Sequence, residues 1–162
     1  MTSATATEDP PVGFGLGRVT QISFVVDDLD RALPAYEAIF GPFRCWSADV
    51  DGSAVSYRGE PAASRLRIGL ASSGGVDIEL VAVEAGEHPA LDHLRVTGPG
   101  IQHIAFEVDD LEAKRSAMLA AGFEPVIDGT TASGIRFCHL QAPDRLGYTV
   151  FELMQMPSGT DS

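Results

Sequence analysis

The sequence is poor in positive charge and in cysteine, and it contains no long apolar run. Eleven Lys and Arg stand against 23 Asp and Glu, for a formal net charge of −12. That balance repels a phosphate backbone, so nucleic acid is excluded as an expected partner. The acidic residues are scattered pairs such as Asp27-Asp28 and Asp109-Asp110, which reads as solvated surface. The two cysteines, Cys45 and Cys138, form neither a CxxC motif nor a disulfide framework. They read as reduced thiols of a cytoplasmic protein, with a single bridge between them left open. No apolar stretch approaches the roughly 20 residues of a membrane span, so no membrane partner is expected. Residues 1–17 lack the basic start and apolar centre of a signal peptide and read as a disordered lead. What is present is 162 residues, 44% of them hydrophobic, enough for one compact domain or two small modules sharing a core.

The chain repeats itself. Val-Thr-Gln-Ile-Ser-Phe-Val-Val-Asp-Asp-Leu-Asp over 19–30 matches Ile-Gln-His-Ile-Ala-Phe-Glu-Val-Asp-Asp-Leu-Glu over 101–112, at a constant offset of 82 (101 − 19 = 82). Each copy opens with an alternating strand, so one face packs and the other meets something more polar. The Asp-Asp pairs then supply N-caps for helices over about 29–40 and 111–121. Leu29, Leu33, Tyr36 and Ile39 form the apolar stripe of the first helix, and Leu111, Met118 and Leu119 that of the second. Gly41 and Gly122 stop the two helices.

Strands are predicted at 44–50, 65–71 and 76–83, then at 125–127, 136–141 and 148–154, with a short linker helix near 88–96. The final strands also match: Val-Asp-Ile-Glu-Leu-Val over 76–81 sits above Thr-Val-Phe-Glu-Leu-Met over 149–154. Glu79 and Glu152 therefore recur at one position. Each lies on the strand face opposite its large apolar neighbours, and a carboxylate in such a setting needs a reason.

Gln-Ile-Ser-Phe-Val-Val-Asp-Asp-Leu from 21, Ile-Glu-Leu from 78, Gly-Ile-Gln-His-Ile-Ala-Phe-Glu-Val from 100 and Gly-Tyr-Thr-Val-Phe-Glu-Leu from 147 together resemble the vicinal oxygen chelate superfamily. That superfamily includes glyoxalase I, methylmalonyl-CoA epimerase, extradiol dioxygenases and bleomycin-resistance proteins. The resemblance implies an α+β fold of two tandem βαβββ modules, forming a cupped mixed sheet with helices on the outside. It divides the chain into a lead (1–17), one domain over 18–155 and a tail (156–162). Within the domain, module one is 18–84, the linker helix 85–99 and module two 100–155.

The resemblance also implies a metal site of Gln21, Glu79, His103 and Glu152, three oxygens and one nitrogen, holding one divalent ion (Co, Ni, Mn, Mg or Zn). The implied reaction is that of a metal-dependent isomerase, epimerase or lyase. It moves a proton next to a carbonyl through a metal-stabilised enediolate, as a methylmalonyl-CoA epimerase or a glyoxalase I does. Glu152 is the first choice for moving the proton and Glu79 the second. The implied substrate is a small molecule, an acyl-CoA or a thiol adduct, and a homodimer is compatible with the fold. A metal-free binding or resistance protein is the alternative. An extradiol dioxygenase ranks last, because its iron takes two histidines and a carboxylate and Gln21 stands where one histidine belongs.

Other polar residues receive ordinary readings. His88 and His93 are expected to be solvent-facing or capping, and His139, beside Cys138, structural. Arg58, Arg65, Arg67, Arg136 and Arg145 read as surface charge rather than as an anion site. Glu60 reads as a loop carboxylate.

Overall fold

The computed structural model describes residues 13–147 and 149–158, with Arg145 described by its backbone alone. β1 (Val19–Val25) runs into α1 (Leu29–Phe40), where Asp28 Oδ1 accepts the Arg31 N–H at 3.0 Å and so satisfies a free donor of the first turn. β2 (Arg44–Val50) follows, then a short hairpin of β3 (Val55–Tyr57) and β4 (Glu60–Pro61), then β5 (Ser64–Ser73) and β6 (Val76–Gly86). α2 (Pro89–Val96) links to the second copy. That copy is β7 (Gly100–Glu107), α3 (Leu111–Ala120) capped by Asp110, β8 (Glu124–Thr130), β9 (Arg136–Gln141) and β10 (Val150–Gln155). Tyr148, expected in the last strand, lies outside the described residues.

One mixed sheet results, in the order β2-β5-β6-β1-β7-β10-β9-β8-β3-β4. β1 lies parallel to β6, and β7 to β10. At the centre β1 and β7 are antiparallel, and Ile22 pairs with Ile104, its own counterpart at offset 82 (104 − 22 = 82). The register slips once on each strand, leaving Thr20 and Gln102 as the extra residues, and these two are also 82 apart. The duplication therefore extends to the bulges.

The sheet curls, with α1 and α3 on its outer face. Val26, Leu29, Leu80 and Ala82 form the core of module one. Val108, Leu111, Met118, Phe123, Cys138, Leu140 and Leu153 form that of module two. Burying each Leu or Met contributes about 1.5–3 kcal/mol. Ile39, expected on the packed stripe, is 73% exposed, and Phe40 approaches Phe24 instead, with ring centroids 6.3 Å apart. Both cysteines are free, Cys138 buried and Cys45 half-buried. Upstream of β1, Phe14 meets Phe123 edge-on at 5.7 Å, and its carbonyl accepts from Lys114 Nζ at 2.9 Å, so packing begins before residue 18. No helix among the described residues is long and apolar enough to cross a membrane.

The β3–β4 hairpin is not announced by the sequence patterns. Its turn is Arg58-Gly59, with φ of 52° and 85°, the two positive values that a two-residue hairpin loop requires. β3 does not pair beside β2. It reaches the far edge of the sheet and pairs with β8, Val55 to Gly129 and Tyr57 to Ile127, which covers an otherwise open edge. Tyr57 Oη and the Arg58 guanidinium, the latter at 2.9 Å, both donate to Asp92 of α2.

Candidate metal centre

Alternation sends Leu80, Phe106, Cys138, Leu140 and Leu153 to the helix side of the sheet. Their neighbours therefore line the inner face. Strand register arranges these inward residues in two adjacent rows. One row runs Val150, His103, Ser23, Glu79, Leu70; the next runs His139, Glu152, Ala105, Gln21, Asp77.

Three of the four expected site residues come together. His103 Nε2 lies 3.1 Å from Glu152 Oε2 and 3.8 Å from Glu79 Oε2. The fourth, Gln21, shares the inner face and the row of Glu152, separated from it by one strand across Ala105, as Glu79 is from His103 across Ser23. Ser23, fully buried, donates its hydroxyl to Glu79 Oε2 at 2.7 Å. The Gln102 bulge places an amide oxygen on His103 Nδ1. With Nδ1 engaged by that oxygen, the His103 ring turns Nε2 inward, where it is buried 3.1 Å from Glu152 Oε2.

His139, expected to be structural, stands opposite Glu152 across β9 and β10, with Nε2 3.3 Å from Glu152 Oε1 and its ring centroid 4.5 Å from that of His103. His103, His139 and Glu152 each offer one donor atom within 4.8 Å of the others, a cluster of two nitrogens and one carboxylate. No repeat signal marks His139, because Leu70 is the residue opposite Glu79 in module one. The signal available was local: Phe137, His139 and Gln141 alternate with Cys138 and Leu140, which puts the histidine on the polar face.

Burial acts on all these groups, and their neighbours decide the outcome. Burial raises the Glu79 pKa, helped by the charge of Glu152 and only partly offset by His103 and Ser23. Burial would also raise Glu152, but His139 and His103 flank it and hold it well below the usual carboxylate range. Burial works against charging His103, yet Glu152 and then Glu79 outweigh it and raise its pKa. For His139 burial prevails and the pKa falls. His88 is not solvent-facing: its Nδ1 caps α2 by accepting the Ala90 N–H at 3.2 Å. Burial, reinforced by His139 and His103, pushes it down to about 3.

The residues fit a divalent ion. Donors about 2.1 Å from one ion and roughly 90–110° apart stand about 3.0–3.4 Å from each other. The two histidine–Glu152 separations, 3.1 Å to Oε2 and 3.3 Å to Oε1, lie in that range, and one donor atom from each of the three residues lies within 4.8 Å of the others. A lone pair on His103 Nε2 facing a carboxylate needs a cation or a proton beside it.

The arginines are committed elsewhere. Arg65 pairs with Asp49 and Glu84, Arg67 with Asp30, Arg58 with Asp92 and Arg136 with Glu112. The Arg145 side chain lies outside the described residues. Glu60 is exposed at the hairpin tip.

The sequence profile of the Glyoxalase/Bleomycin resistance protein/Dioxygenase superfamily matches residues 20–139. The chain belongs to that superfamily. Its fold is shared by a hypothetical protein of Bacillus halodurans, at TM-score 0.65 and 19% identity, covering 90% of this chain and 98% of that one. Methylmalonyl-CoA epimerase from Mycobacterium tuberculosis matches at TM-score 0.61 and 21% identity, over 86% and 88% of the two chains. A Streptomyces coelicolor methylmalonyl-CoA epimerase variant, solved in complex with 2-nitronate-propionyl-CoA, matches at 0.56 and 20%, over 87% and 98%. No curated protein matches the chain in sequence.

Proposed function

We propose that the chain is a divalent-metal-dependent isomerase or epimerase that moves a proton next to the carbonyl of an acyl thioester. The observation that carries the reading is the buried inward convergence of Glu79, His103 and Glu152, with the His103 Nε2 facing both carboxylates. A bound divalent ion supplies Lewis-acid polarisation of a substrate carbonyl. Glu152 and His103 are the residues to hold it. Glu152 is wedged between two imidazoles and is suited to binding rather than to shuttling a proton. Glu79 takes the proton-moving role: Ser23 steadies Oε2, and Oε1 is left to face the substrate carbon. This reverses the order of the two glutamates expected from sequence. Acyl-CoA is the favoured substrate class because structural neighbours with this fold are methylmalonyl-CoA epimerases.

The test is deuterium wash-in at the carbon next to the carbonyl, followed by NMR over a panel of acyl-CoA and hemithioacetal substrates with added Co, Ni, Mn, Mg or Zn. Metal-dependent exchange on an acyl-CoA, lost in Glu79→Gln, is expected. Absence of exchange on every substrate with every metal sinks the reading.

A second reading rests on His139. Two histidines and one carboxylate are also the donor pattern of ferrous oxygenases, so Gln21 no longer argues against ring cleavage. Oxygen uptake with catechols and ferrous ion separates it from proton transfer.

A further inference from the structure

We infer that His139 is itself a metal ligand, so that the ion is held by three residues of module two, His103, His139 and Glu152, with module one contributing Glu79 at its edge. The inference rests on the metal-dependent reading above and names the ligand that completes it.

His139 is 6% exposed and sits on β9 with its side chain turned away from the core cluster that takes Cys138 and Leu140. β-Ladder register alone sets it beside Glu152, and the same register puts Glu152 one strand from His103. Both imidazoles approach the same carboxylate through Nε2, one to each oxygen, at 3.1 and 3.3 Å. Their planes are tilted by 52°, so the rings are not stacked, and one donor atom of each lies within 4.8 Å of the other and of Glu152. Among the described residues His139 Nδ1 is buried without a hydrogen-bond partner, and Glu152 lies at its Nε2 end. Glu79 approaches His103 alone, at 3.8 Å, and is already engaged by Ser23.

A merely orienting role, in which His139 steadies Glu152 as a hydrogen-bond donor, predicts a different result. Losing such a partner weakens metal binding by roughly 10–100-fold, whereas losing a ligand costs more and changes the coordination itself.

The experiment uses the full chain stripped with chelator and titrated with Co²⁺. We expect one equivalent to bind, and ¹H NMR of the Co²⁺ protein to show two exchangeable, hyperfine-shifted imidazole N–H signals, one from each ligating histidine. His139→Gln should lose one signal and weaken binding by more than about 100-fold. His139→Asn, shorter still, should behave alike, and matching far-UV circular dichroism and melting of the metal-free forms guards against misfolding. A single shifted signal in the wild type, or a His139→Gln protein with unchanged affinity and spectrum, overturns the assignment. The two readings fail separately. Two shifted signals without deuterium exchange defeat the proposed reaction and leave the ligand in place. Metal-dependent exchange with one shifted signal defeats the ligand and leaves the reaction.

Discussion

Ser23 is the smallest residue of the inner rows with a polar atom, and its hydroxyl donates to Glu79. A hydroxyl donating to a buried carboxylate contributes about 1.5–3 kcal/mol, and removing it leaves the carboxylate short of a partner. Ser23→Ala is expected to lower the unfolding free energy by about that amount, read from urea denaturation, and to slow any proton exchange without weakening metal binding to the same extent. An unchanged midpoint would show that Glu79 finds another partner. Cys138 offers a second test at this scale. Burial pushes its thiol up to about 12, so at pH 8 it is protonated and inert in the native state. Thiol titration should find no more than one reactive cysteine before unfolding and two afterwards; two in the folded protein contradicts the packing. At this scale Glu79, His103 and Glu152 were legible because they sit in a duplicated pattern. The approach of His139 was not, because it comes from standing opposite Glu152, and pairing register is a property of two strands rather than of one.

The elements were read best where the repeat and the caps coincide. Asp28 and Asp110 cap α1 and α3 as their position before an apolar stripe predicts, each accepting an N–H three residues on at 3.0 Å. The β3–β4 hairpin was missed for physical reasons. Its strands have three and two residues, too short for alternation to register, and its pairing partner β8 lies about 70 residues downstream. α2 carries its own test, through the histidine that caps it. An unfolded imidazole titrates near 6.5, and in the fold His88 titrates at about 3. Between those values the unfolded chain binds a proton that the native protein refuses, so this group's effect is absent above about pH 6.5 and destabilises progressively as pH falls toward 3. His88→Asn keeps a good N-cap and removes the titration. Its unfolding free energy should fall less than that of the wild type between pH 7 and pH 4. The difference can reach about 1.4 kcal/mol for each pH unit in that window. Parallel acid profiles for the two proteins would refute the assignment.

At the scale of the whole molecule two connections join the modules. The first is the central β1–β7 ladder with its near-symmetric bulges. The second is the segment from β2 to β5, which crosses from module one to the outer edge of module two and is tied to the linker helix through Tyr57, Arg58 and Asp92. Its seating depends on close backbone approach. A Cβ on Gly129 would stand 2.5 Å from the Ala54 carbonyl oxygen and 2.8 Å from Val55 Cγ2, and the first of these is backbone that cannot swing aside. Gly129→Ala should therefore push β3 off β8, at a cost of about 1–3 kcal/mol typical of overpacking. The effect should be local in origin. Hydrogen exchange should quicken at Arg58, whose N–H is held by Val126 O, and at Thr130, held by Ala54 O, while the amides of β1 and β7 stay protected. Asp92→Asn, which weakens the tie from the other side, should loosen the Arg58 end but not the Thr130 end. If both substitutions instead accelerate exchange across the central ladder, the crossing segment and the core unfold as one unit, and the two connections are not independent.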